Sequence, residues 1–75
     1  MNEDMQKICD LLLKALQATD EASDLVALKY KTDELDEYTE KDTVTAVFQS
    51  GGTKVANVTL DSGTAMIYDI MRQIF

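Results

Sequence analysis

A chain of 75 residues has room for one domain and one core, and its single cysteine, Cys9, excludes an intrachain disulfide. The sequence lacks histidine, so neither a zinc cage nor the commonest general base can be assembled, and the core must be aliphatic. The net charge of −7 argues against nucleic acid as ligand, because phosphate binding needs a basic footprint, and against adhesion to an anionic membrane.

The first element is a helix. Met5, Ile8, Cys9, Leu12, Leu13 and Leu16 recur at helical spacing. Asn2 is the expected N-cap, with Glu3 and Asp4 in the first turn, where the helix dipole favours them. The acidic MNEDMQKICD start has neither the basic region nor the apolar run of a signal peptide. Together with the free thiol, that points to the cytoplasm. The helix is expected to end near Ala18, where TDEAS brings cap-forming residues.

Residues 24–31, DLVALKYK, alternate as a strand with Val26, Leu28 and Tyr30 inward. A helix from Asp24 through Tyr38 is the rival, but its apolar stripe is thin. Next comes TDELDEYTEKD, residues 32–42, read as a loop with six acids against one lysine. Over residues 20–42 the count is nine acids and three lysines, so this third of the chain carries −6 of the net charge.

TVTAVFQ and KVANVTL flank SGGT and predict a β-hairpin. The cleanest division of apolar and polar side chains puts Val44 opposite Val58, Ala46 opposite Ala56 and Phe48 opposite Lys54. Val44, Ala46, Phe48, Ala56, Val58 and Leu60 then share the core face. A one-residue slip would mix the faces. That register requires a three-residue loop, Ser50-Gly51-Gly52, with Gly52 left-handed. On the outer side, Val47 and Val55 would face each other among threonines. The chain closes on a second helix, capped by Asp61 or Ser62, with Met66, Ile67, Ile70, Met71 and Ile74 as its buried stripe. The fold class expected is α+β, in the order α-β-β-β-α, with a three-stranded antiparallel sheet and both helices packed on one face.

Few residues suggest chemistry. A calcium loop of the EF-hand type needs oxygen ligands at its first, third and fifth positions and a glycine at the sixth. Starting at Asp33 places Leu35 third and Tyr38 sixth, and starting at Asp36 places Tyr38 third and Lys41 sixth. Both registers fail, leaving a weak divalent-cation site as a remote alternative. SGGTK lacks the spacing and the following helix of a P-loop. Cys9 lies on the apolar stripe and reads as a small core residue rather than a nucleophile. Accordingly no catalytic residue, cofactor or metal ligand is assigned, and no enzymatic activity is expected.

The element order is similar to that of the double-stranded RNA-binding domain, and the likeness is one of topology alone. That family opens its second helix with consecutive lysines that grip phosphates. The matching DSGTAMIYDIMRQI carries Asp61, Asp69 and a single Arg72, so no binding residue carries over.

The functional expectation is a small acidic protein-interaction module with a protein partner, basic in character if the acid run is the contact. A solvated loop that merely keeps the chain soluble is the simpler reading of that run. Its contact residues would be Asp33, Glu34, Leu35, Asp36, Glu37, Tyr38, Glu40 and Asp42, apolar anchors inside a charged rim. Val47 and Val55 are a second candidate surface, for a partner or a weak homodimer. The sharper alternative is an acidic mimic that occupies the nucleic-acid groove of a basic protein, such as a phage- or plasmid-borne inhibitor.

Overall fold

A computed structural model describes residues 4–75. The elements run α1 (Met5–Gln17), β1 (Leu25–Glu34), β2 (Glu40–Phe48), β3 (Thr53–Asn57) and α2 (Gly63–Ile74). The strands form one open antiparallel sheet in the order β1-β2-β3, with α1 against β1 and α2 against β3. This is the α+β arrangement expected from the alternation of patterns along the chain.

α1 starts two residues later than its acids suggest. Asp4 is the N-cap itself, its carboxylate accepting from the Lys7 amide at 3.0 Å, rather than a first-turn residue. The expected roles of Asn2 and Glu3 lie outside the described residues. Ser62 caps α2 by accepting from the Ala65 amide at 3.3 Å. The helices contribute Cys9 and Leu16 from α1, and Met66, Ile70 and Ile74 from α2, to a core completed by Ala22, Leu25, Leu28, Val44, Ala46, Ala56 and Val58. Each large aliphatic side chain so buried contributes about 1.5–3 kcal/mol. Met71, expected in the buried stripe, is 39 % exposed.

The strands correct four expectations. A β-bulge interrupts β1 between Leu25 and Ala27, so Leu25 points into the core and Val26 is 51 % exposed. The β2–β3 ladder is displaced by two residues: Val44 pairs with Ala56 and Ala46 with Lys54. Because the displacement is even, every side chain keeps its expected face. The three-residue loop is therefore Gln49-Ser50-Gly51, closed by Phe48 N donating to Gly52 O at 2.9 Å. Gly51, at φ +93°, takes the left-handed position expected of Gly52. Finally, β3 ends at Asn57. The chain turns away through Val58–Asp61, and Leu60, expected in the core, is 96 % exposed with a left-handed φ of 64°.

Glutamine side chains bond part of each edge of the sheet. On β1, Gln6 Nε2 donates to Leu28 O at 3.1 Å while its Oε1 accepts from Tyr30 N at 2.9 Å, and Gln17 Nε2 donates to Leu25 O at 2.9 Å. On β3, Gln73 makes both bonds to one residue: Oε1 accepts from Asn57 N at 2.8 Å and Nε2 donates to Asn57 O at 2.9 Å. A carboxamide has the donor and acceptor of a peptide group, so each glutamine stands in for a neighbouring strand. Lys54 is a charge on the core-facing side of β3. Its ammonium donates to Ile74 O at 3.4 Å and lies 5.9 Å from the centre of the Phe48 ring.

Candidate protein-interaction site

The acid run is not a loop. It forms the far half of the β1–β2 ribbon, with Thr32 opposite Asp42, Asp33 opposite Lys41 and Glu34 opposite Glu40. Only Leu35–Thr39 form the turn, closed by Leu35 N donating to Thr39 O at 2.9 Å. Asp36 folds this turn by accepting from the Tyr38 amide at 2.8 Å, an Asx-type bond. That bond, with a second from the Thr39 side chain, holds the Asp36 carboxyl below its ordinary range. Since β3 is so much shorter than its neighbours, the ribbon projects beyond it, and the molecule measures 41 × 26 × 18 Å.

The pleat sorts the charges of this ribbon. Successive side chains alternate between faces. On the side shared with the helices stand Glu34, Glu40 and Asp42, in line with buried Leu28 and Val44. On the opposite, uncovered side stand Lys29, Lys31, Asp33 and Lys41. The three lysines of residues 20–42 are thus all on one face, with a single acid, Asp33, which pairs with Lys31 at 3.4 Å. A segment whose total charge is strongly negative has one basic face and one acidic face.

Where β3 ends, the acidic face opens into a concavity of about 230 Å³ beside β2. Glu34, Asp36, Glu37, Tyr38, Glu40 and Asp42 line it, with Thr59 and Leu60 from the β3–α2 turn. Among the described residues, no lysine or arginine lines it. Glu34 and Glu40 are a like-charge pair directly across the ladder, an arrangement that costs stability unless a cation relieves it. Asp42 is anchored through its backbone: its amide donates to Thr59 Oγ1 at 3.1 Å and its carbonyl accepts from Val58 N at 2.9 Å. One of its carboxylate oxygens is enclosed without a hydrogen-bond partner. Tyr38, 90 % exposed, and Leu60 supply apolar surface beside these carboxylates.

Six of the expected contact residues therefore meet in one place. Asp33 faces the other way, and Leu35, though exposed, lies outside the concavity. Val47 and Val55 lie on the outer face but do not oppose each other. Val47 pairs with Thr53 and Val55 with Thr45, which makes them diagonal neighbours. Thr59 and Leu60 escape sequence reading because VTL continues the strand alternation, and only the DSGT cap behind it hints that the chain must turn.

The other chemically distinctive groups do not line the concavity. Cys9 is fully enclosed, and burial foremost, then the neighbouring Asp10, pushes its thiol up to about 11. Asp61, before α2, has its carboxyl raised to about 6, first by burial and then by Asp69, whose own carboxyl is lowered by Asp61 and Arg72. Arg72 holds Asp69 at 2.9 Å. Among the described residues, no group of three or more acids or cysteines is arranged to hold a metal ion, and no helix is long and apolar enough to cross a membrane. Compared with known proteins, the chain matches no family model, no curated protein and no solved structure.

Proposed function

We propose that the protein is a small, cytoplasmic, non-enzymatic interaction module that receives a basic segment of another protein at its ribbon tip. The observation that carries this reading is the concavity lined by Glu34, Asp36, Glu37, Glu40 and Asp42, with no cation among the described residues of its walls and with Tyr38 and Leu60 exposed there. Lysine or arginine side chains entering there would relieve the Glu34–Glu40 repulsion, while their stems cover the tyrosine and leucine. The backbone of Leu60 favours the same reading. A left-handed non-glycine residue costs about 1–3 kcal/mol, and here it directs a leucine into solvent beside the acids. The buried, unpaired Cys9 supports a reducing compartment and offers no accessible nucleophile.

Titration of a lysine-rich peptide into the full chain tests the reading. Replacing Glu34 and Glu40 together by lysine is expected to weaken binding at least about tenfold, the loss of roughly 1.4 kcal/mol of charge complementarity. Val55→Asp, on the other face, should leave it unchanged. Equal affinity of the Glu34→Lys/Glu40→Lys protein would sink the assignment.

The alternation of carboxylates along one face also favours a second reading, in which the tip occupies the nucleic-acid groove of a basic protein. Competition distinguishes the two. A mimic displaces nucleic acid from its target, whereas a simple docking module binds without displacing it.

A further inference from the structure

We propose that the uncovered face of the β1–β2 ribbon is itself a docking surface, and that its occupant is the acidic tip of a second copy of this chain. The inference rests on the tip being a surface for basic protein. It adds that one such surface is carried by the protein itself.

Both halves of the contact are on the molecule. The donor half is the tip, with Glu34, Glu40 and Asp42 on one face and exposed Tyr38 and Leu60 beside them. The acceptor half is the outer sheet face. Lys29, Lys31 and Lys41 stand there with a single acid, next to the half-buried Val47 and to Val55, which is 58 % exposed. Each half thus joins a charge to an exposed apolar patch, and the charges are opposite. Lys29 and Lys41 have no carboxylate within ion-pair distance among the described residues, which leaves their ammonium groups available. Helices cover neither surface, since α1 and α2 both pack on the other face of the sheet, nearer its base.

The contact is heterologous, because tip and outer face are different patches. Each added copy leaves one tip and one outer face free, so assembly is open-ended rather than a closed pair. The net charge of −7 on every copy opposes approach at low salt. At physiological ionic strength the Debye length is about 8 Å, which screens the overall repulsion but much less the contact pairs. Association is therefore expected to strengthen from low to physiological salt and to weaken again near about 1 M, where contact pairs are screened as well.

Sedimentation of the full chain at rising concentration, with two charge-reversed variants, provides the test. Lys29→Glu/Lys31→Glu/Lys41→Glu makes the outer face acidic, and Glu34→Lys/Glu40→Lys makes the tip basic. With folding of each checked by circular dichroism, wild type is expected to gain mass with concentration and each variant alone to remain monomeric. Their mixture is expected to associate in equal proportions into alternating species, the basic tip and lysine face of one variant meeting the acidic face and acidic tip of the other. A wild type that stays monomeric at millimolar concentration overturns the inference, as does a mixture that fails to associate. Lysine-rich peptide binding in the same samples isolates the cause. Peptide bound by a monomeric wild type removes self-docking while leaving the tip assignment in place. Peptide ignored by a monomeric wild type removes both.

Discussion

Leu28 and Glu34 stand on the same face of the same strand, yet one is sealed in the core and the other faces an open acidic notch. The ladder between β1 and β2 runs unbroken from Leu28 to Glu34, so backbone geometry does not distinguish the two sites. What differs is cover. At the base, α1 and the sheet bury Leu25, Leu28, Val44 and Ala46 together with Cys9 and Leu16. At the tip the same pleat, with no helix over it, presents charges and separates them by sign. Stability is therefore concentrated at one end of the ribbon and recognition at the other.

The most severe way to break this contrast is at the base. Leu28→Ala is expected to cost about 2–5 kcal/mol in urea unfolding, from lost burial and the cavity left behind. Glu40→Gln at the tip should shift the same curve by less than about 0.5 kcal/mol, or raise stability slightly by ending the repulsion with Glu34. Comparable losses at both sites would mean that the tip is packed rather than presented.

A smaller effect is expected at the sheet edge. Gln73→Ala removes both bonds to Asn57, and because water can replace them the loss should be about 1 kcal/mol. The same variant should self-associate through β3, seen as faster aggregation on heating. Unchanged stability and unchanged aggregation would show the clamp to be idle.

The pH response should be the smallest, because solvent screens the partly exposed pair of Asp61 and Asp69. Asp61 titrates at about 6 in the folded chain and near 3.9 when unfolded. Over that window the folded state holds a proton that the unfolded state has released, so stability falls as pH rises and stays lower above about pH 6. Asp69 and Asp36, both lowered, act with the opposite sign below about pH 4. Asp61→Asn should flatten the decline between pH 4 and 6 without altering the base of the ribbon, a measurement made by urea midpoints across that range.

Much of this organisation was legible in the residues, and what was not has identifiable causes. The face assignment of the β2–β3 hairpin survived an error in its pairing because apolar alternation fixes only the parity of a register, not its absolute value. Two adjacent glycines offered two acceptable loops, and the left-handed position fell on Gly51. The bulge in β1 was hidden because Leu25 and Val26 are equally apolar, and only the packing chooses which enters the core. Leu60 was misplaced because alternation cannot announce where a strand stops. The tip shows a different limit. Summing charge over residues 20–42 concealed that alternate positions carry opposite signs, information present in the sequence but visible only once these residues are known to be strand.

The enclosed thiol of Cys9 makes the protein its own clock. A soluble disulfide reagent can reach that sulfur only when α1 lifts from the sheet, and the group reacts as thiolate, which its raised pKa makes scarce in the closed state. The labelling rate at dilute reagent then reports the fraction of time the core is open, in a chain with no second cysteine to confuse the signal. Variants at the tip should leave that rhythm untouched, while those beneath α1 should quicken it.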